Sequence, residues 1–559
     1  MHTLFIAGLV AVTLGVTGSL PWVGPVHDVV AAIDEYPRRI GIDIENYRFE
    51  LTLRDDSDVI EGRATVSVRF TNVGVTELSL DLIGANGEGQ GMTVTSVEVA
   101  GRPLDFTHES DLLRISLSEA GPAGATLDVT VSYNGVPASG LHAGPNKHGD
   151  RTFFSDNWPN RARNWLPTID HPYDKAMSEM VVTAPAHYQV VSNGLLVEET
   201  DGAAGTRVTH WKQSVPIATW LYVLGVAEFA VQHVDDFRGL PIQTWVYRQD
   251  RDAGFYDFAV PTKQVMEFYA DHVGPYAYER LANITSPVTG GGMEAATAIM
   301  YHENSVTGDR TVRWRNVIIH EIAHQWFGNA VTESDWDDVW LSEGFATYFT
   351  LLFIEHAYGR DEFVDGLESS AERVFTQYES DPGYRIVHDD LDDMSRVSSG
   401  ATYQKGSWVL HMLRGRMGDE AFWAGIRAYY ARYMNQNATT SDFQAAMEQA
   451  SGLDLQTFFD QWLRDGGNPK LQGWWDYDAS ARAVRIELNQ TQTVGPMFEI
   501  PLEIGIYQDG QVLPTTIERV DLDGGFHRFV IPVDAEPTDV RLDPNSWTLF
   551  EADFGRQGR

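Results

Sequence analysis

The stretch Asn316-Val317-Ile318-Ile319-His320-Glu321-Ile322-Ala323-His324-Gln325-Trp326-Phe327-Gly328-Asn329 sets two histidines four residues apart inside an apolar run. On a helix, residues four apart share a face with Cβ atoms ~5–6 Å apart, so both imidazoles reach one metal ion. Val317, Ile318, Ile319, Ile322, Ala323, Trp326 and Phe327 cover most of the remaining surface, which predicts a buried helix. Gly328-Asn329 supplies its stop. The chain contains no cysteine, so disulfides, thiolate sites and cysteine nucleophiles are excluded, and any metal must be held by His, Asp or Glu.

A catalytic zinc takes three protein ligands and keeps a fourth position open. Glu343, in Trp340-Leu341-Ser342-Glu343-Gly344-Phe345-Ala346-Thr347-Tyr348, is the best third candidate: an acidic residue within an apolar, helix-forming segment just downstream. A lone carboxylate there is expensive to bury, and metal coordination supplies the compensating charge. One Zn2+ per chain on His320, His324 and Glu343 is therefore expected.

Around this core the 559 residues, 43% hydrophobic and 11% aromatic, exceed a single domain of ~100–200 residues and describe a globular protein. From Tyr47 the pattern has period two, as in Tyr47, Phe49, Leu51 and Leu53 and again in Ala64, Val66, Val68 and Phe70, the signature of half-buried antiparallel strands. Near Asp252 the period becomes helical, with Ser441 as a candidate N-cap and Gly452 as a stop. Asp465-Gly466-Gly467-Asn468-Pro469 ends the helical block, and alternation returns in Val484, Ile486 and Leu488. The expected division is a leader over 1–30, an antiparallel β domain over 31–232, a helix-rich domain carrying the paired histidines over 233–468 and a β-sandwich over 469–559.

The leader call rests on Leu4–Gly18, LFIAGLVAVTLGVTG, about the length of a signal-peptide core, with cleavage before Ser19. This predicts export; an uncleaved membrane anchor and a mis-assigned start, leaving the protein cytoplasmic, are the other readings. With 41 Lys+Arg against 79 Asp+Glu and a net charge of -38, the surface repels phosphate backbones and anionic lipid. Nucleic acid is excluded as a main partner, and a membrane is met only through the leader.

Three motifs carry a family resemblance. The H-E-x-x-H followed by eighteen residues and Glu343, the upstream Gly291-Gly292-Met293-Glu294, and Tyr403-Gln404-Lys405-Gly406 together resemble the M1 family of zinc aminopeptidases, the gluzincins. The resemblance implies a multidomain α+β fold: N-terminal β domain, thermolysin-like α+β catalytic domain, C-terminal β-sandwich. The large C-terminal helical domain of many relatives is expected to be missing. It also implies the roles. His320, His324 and Glu343 hold zinc and Glu321 is the general base. Tyr403 donates to the oxyanion, Glu294 binds the cationic free N-terminus of a peptide, and Gly291, Gly292 and Met293 line the substrate. The rival readings are an inactive scaffold, a zinc endopeptidase or an epoxide-hydrolase branch.

Two positions depart from the family. Ala295 stands where an Asn is usual, and Trp158 where relatives place a second Glu or Gln for the amine, with Asp156 or Asn157 as substitutes. His142 and His148 lie in a Gly- and Pro-containing loop and His171 and His302 lack a second ligand at metal spacing; all four are read as structural, and Trp474-Trp475 as sandwich core.

Overall fold

Strand Ile42–Arg54 buries Tyr47, Phe49, Leu51 and Leu53 on one face, as alternation demands of a sheet with one side against a core. The computed structural model describes residues 34–558 apart from 118–120, 260–261, 392–393 and 509. The leader expected over 1–30 lies outside the described residues. No helix among them is long and apolar enough to cross a membrane.

Ile42–Arg54 belongs to an eight-stranded sheet whose order runs Leu195–Asp201, Thr206–Ile217, Ala176–Pro185, Ile42–Arg54, Ser57–Phe70, Thr126–Val136, Gly91–Val99 and Arg102–Pro103. Its ladders are antiparallel except that Ile42–Arg54 pairs with Ala176–Pro185 in parallel, a departure from the all-antiparallel expectation. Pairing of residues 131 positions apart, such as Asn46 with Met177, is invisible to local pattern.

The next sheet has five strands in the order Phe229–Phe237, Leu240–Tyr247, Leu281–Ser286, Ala298–His302 and Gly292–Met293. Its first strand crosses the division expected at 232–233. Its middle strands are parallel and buried throughout, as Leu281–Ser286 shows. Gly292–Met293 is an antiparallel edge, with Gly292 opposite Tyr301 and Met293 opposite Met300.

Helices α1 (Arg251–Ala259), α2 (Thr262–His272), α3 (Val312–His324), α4 (Trp340–Tyr358), α5 (Arg360–Ser380), α6 (Gly406–Met417), α7 (Asp419–Tyr433) and α8 (Thr440–Ser451) make up the rest of this region. α8 starts at Thr439, not Ser441: Thr439 and Asp442 form a reciprocal capping box, and Gly452 ends the helix in the left-handed region. A four-stranded and a three-stranded sheet follow from Lys470, enclosing Val484, Ile486, Leu488, Ile500, Leu502 and Ile504. Trp475 joins that core, whereas Trp474 lies half-buried on the opposite side of its strand, because neighbours along a strand face opposite ways.

The N-terminal domain grips the catalytic region at three points. Asn193 Nδ2 donates to the Ala296 carbonyl at 2.7 Å and the Gly194 amide to Thr297 Oγ1 at 2.7 Å. Lys175 Nζ donates to the carbonyls of Asn329 and Ala330 at 3.0 and 3.1 Å and to Thr332 Oγ1 at 2.9 Å.

Candidate active site

The helical spacing delivers what it promised. His320 and His324 project from one face of α3, their Nε2 atoms 3.0 Å apart. Glu343, in the first turn of α4, brings Oε2 to 3.3 Å from each. The His324 ring is oriented from behind: an N–H at Nδ1 donates to the Phe327 carbonyl at 3.2 Å, with Ser342 Oγ at 3.0 Å, so that Nε2 faces His320 and Glu343.

The donor set fits a metal ion on three observations. Two imidazole nitrogens and a carboxylate oxygen converge within 4.8 Å. Glu343 Oε2 is buried without a hydrogen-bond donor. Glu294 and Glu321 crowd the same cavity with His324, so it collects negative charge that a dication would neutralise. The local electrostatics respond accordingly. Burial works against a charged His324, but Glu294 and Glu343 outweigh it and push this imidazole up to about 10. Burial pushes His320 down.

Glu321 is buried, and burial together with the Glu294 carboxylate holds its pKa well above the ordinary range. Its side chain occupies the space over Gly292: a Cβ there would sit 2.1 Å from Glu321 Oε1 and 2.2 Å from its Cδ. Gly292 is therefore glycine because the Glu321 side chain needs the room. Glu294 is buried with Oε1 unpartnered, and burial, reinforced by Glu343, pushes it up to about 7.

Tyr403 lies in a π-helical turn, Ala401–Lys405, that leads into α6. Its hydroxyl donates to Glu343 Oε1 at 2.8 Å and accepts from Ser398 Oγ at 3.2 Å. Two glycines allow this approach. A Cβ on either Gly344 or Gly406 would lie 3.0 Å from the other's backbone, so α4 and the start of α6 cross in direct contact. Lys405, fully buried, anchors the turn by donating to Tyr378 Oη and the Gly467 carbonyl, both at 2.9 Å.

All nine predicted residues thus surround one space; Gly291 to Glu294, His320, Glu321, His324, Glu343 and Tyr403 line a cleft of about 900 Å³. Of the proposed substitutes at the departure, Asp156 lines the same cleft and pairs with Arg161 at 2.9 Å. Asn157 does not: its side chain is spent on the Tyr222 carbonyl and Trp165 Nε1. Ala295 is buried and has no polar atom to offer.

Two positioning residues escaped the sequence reading. Gln325 donates to the Glu294 carbonyl at 2.9 Å and accepts from the Thr297 amide at 3.0 Å, and Asn329 donates to the same Glu294 carbonyl at 2.7 Å. Both are fully buried, and two amides directly after an apolar helix were the available signal. His171 also differs from expectation. It does meet acidic neighbours, with Asp34 Oδ2 at 2.7 Å and Asp335 Oδ1 at 3.8 Å, but Arg38 bridges the two carboxylates at 2.9 Å each and supplies the cation itself.

Comparison with known proteins agrees with this geometry. Residues 44–221 match the family model described as the Peptidase M1 N-terminal domain, and residues 258–462 the Peptidase family M1 domain. A glutamyl aminopeptidase of Homo sapiens is 32% identical over 333 residues, 57% of this chain and 34% of the relative. An aminopeptidase M1 of Arabidopsis thaliana is 24% identical over 484 residues, 82% and 52% respectively; the chain spans about a third to a half of these relatives' length. Among solved structures, an M1 zinc metallopeptidase from Deinococcus radiodurans superposes with a TM-score of 0.65 at 23% identity, covering 76% of this chain and 93% of that one. A mutant of that protein bound to a Tyr-Ser-Ala substrate gives 0.66 at 24% identity, covering 76% and 94%; at such identities the likeness is one of fold. With both family models matched in order and the paired histidines, the glutamate and the tyrosine meeting in one cleft, the chain belongs to peptidase family M1.

Proposed function

We propose that this protein is a zinc-dependent aminopeptidase that removes the N-terminal residue of peptides. The observation that carries the reading is Glu294: a buried carboxylate with an unpartnered oxygen in the same cavity as His324 and Glu321. A peptide α-amine has pKa ~8 and is cationic at neutral pH; a carboxylate fixed there binds it and sets the first peptide bond beside the metal ligands.

His320, His324 and Glu343 would hold the zinc, which when bound lowers the pKa of a water from ~16 to ~7 and polarises a carbonyl. Glu321, on the same helix but not among the ligands, takes the proton of the attacking water on a carboxylate oxygen and returns it to the leaving amine. The Tyr403 hydroxyl, poised on Glu343, is the donor for charge developing on the scissile carbonyl oxygen. The free edge of Gly292–Met293 offers backbone groups along which a peptide lies extended.

A panel of fluorogenic aminoacyl substrates, assayed with and without a zinc chelator, tests the reading. Cleavage that chelation abolishes and zinc restores is expected, with free peptides cut and N-acetylated ones spared. Equal cleavage of acetylated peptides would favour an endopeptidase, and a zinc-loaded protein inert on every substrate would favour a scaffold.

A further inference from the structure

The cleft continues past the metal ligands. On α3, Arg313 precedes His320 by seven residues, just short of two turns, so it returns to the same face roughly 10 Å along the axis. On α5, Gly366, Ser369, Ser370 and Arg373 line the cleft at the i, i+3, i+4, i+7 spacing of one helical face. This wall is small and uncharged until it reaches Arg373.

Arg313 and Arg373 are exposed, and among the described residues neither has an ion-pair partner; the Arg313 guanidinium lies over the Trp314 ring, 5.0 Å from its centroid. Their neighbours behave otherwise. Arg315 pairs with Glu362 at 2.9 Å, and Arg161, across the same cleft, with Asp156 at 2.9 Å. In a chain with 79 acidic residues against 41 basic ones, two guanidinium groups in the cleft that no carboxylate of the described residues meets are free to take a carboxylate that arrives with the ligand.

The polarity of the cleft gives the direction. Glu294 sits with Glu321 and His324 at the C-terminal end of α3, and Arg313 lies at its N-terminal end. A peptide anchored by its ammonium at Glu294 crosses the metal ligands and runs toward Arg313. At ~3.3–3.6 Å per extended residue, the roughly 10 Å between His320 and Arg313 corresponds to two or three residues after the scissile bond, once the reach of the arginine is counted.

Resting on the aminopeptidase reading, we propose that Arg313, aided by Arg373 where α5 lines the same cleft, binds the C-terminal carboxylate of the leaving segment, so that the preferred substrates are short peptides of three or four residues. The zwitterion is held at both ends by opposite charges, which fixes both orientation and length.

The test measures kcat/KM of the full-length, zinc-loaded protein on tri- and tetrapeptides as free acids and as C-terminal amides. The free acid is expected to be favoured about tenfold, a ratio that falls toward one in Arg313→Gln, falls partly in Arg373→Gln and is partly retained in Arg313→Lys. A merely structural arginine would change both substrates alike and leave the ratio fixed. A ratio near one in the native protein, or one unmoved by Arg313→Gln, overturns the inference while leaving the aminopeptidase intact. An amide bearing glutamate two residues after the scissile bond that matches the free acid would overturn selection by the chain end. No cleavage of any free peptide would overturn both readings.

Discussion

At the scale of the residue, the proposed function separates holding a metal from moving a proton. Glu321 is outside the ligand set, so Glu321→Gln should lower kcat by ~10²–10⁴-fold while metal analysis still finds one zinc per chain; full turnover in that variant would remove Glu321 as the base. Tyr403→Phe should lose ~2.7–4 kcal/mol of transition-state stabilisation, read as a fall in kcat with little change in KM. Because the hydroxyl also bonds Glu343, zinc content must be measured beside the rate. The convergence of His320 and His324 was legible because the two obey helical register. The environment of His171 was not, since Asp34 and Asp335 approach it from segments 137 and 164 residues away in a network with Arg38.

At the scale of the element, several glycines act as spacers between packed segments. Gly292→Ala forces Glu321 to move, because the new methyl would lie within 2.4 Å of its side-chain atoms. A displacement of about 1 Å costs on the order of 10²-fold in rate; the expected variant is folded, with a melting temperature close to native, and nearly inactive. A fully active Gly292→Ala would show that the base does not occupy this space. The Gly344–Gly406 contact explains why the Tyr403 turn lies against α4 at all. Sequence pointed to each motif separately, but it did not reveal that Gly292 serves Glu321 or that Gln325 and Asn329 hold the Glu294 backbone. Those are contacts between elements, and they leave no periodic trace.

At the scale of the whole molecule, the N-terminal domain is part of the site's scaffold. Asn193, Gly194 and Lys175 fasten the segments that carry Glu294 and Asn329. Beside Lys175, Asp174 is buried with Oδ2 unpartnered, and burial, with Asp43 nearby, pushes its carboxyl up to about 8. A folded value above the unfolded one means that its contribution is fully present below about pH 4 and is lost as pH rises through about 8. Asp174→Asn removes this dependence. Thermal melts at pH 5, 7 and 9 should show the variant gaining on the native protein as pH rises, and parallel pH profiles would refute the assignment.

Amino-acid order alone pointed to the candidate ligands His320, His324 and Glu343 and to the succession of β, mixed and β regions, because these follow from residue type and from periods of two and 3.6 that need no distant partner. Tertiary structure decided the rest. It determined which of Asp156 and Asn157 reaches the cleft, why Gly292 must be glycine, and which amides hold Glu294. It also left two arginines facing the cleft without carboxylates. Each of these depends on excluded volume or charge between segments far apart in the chain, and such terms exist only once the chain has closed on itself.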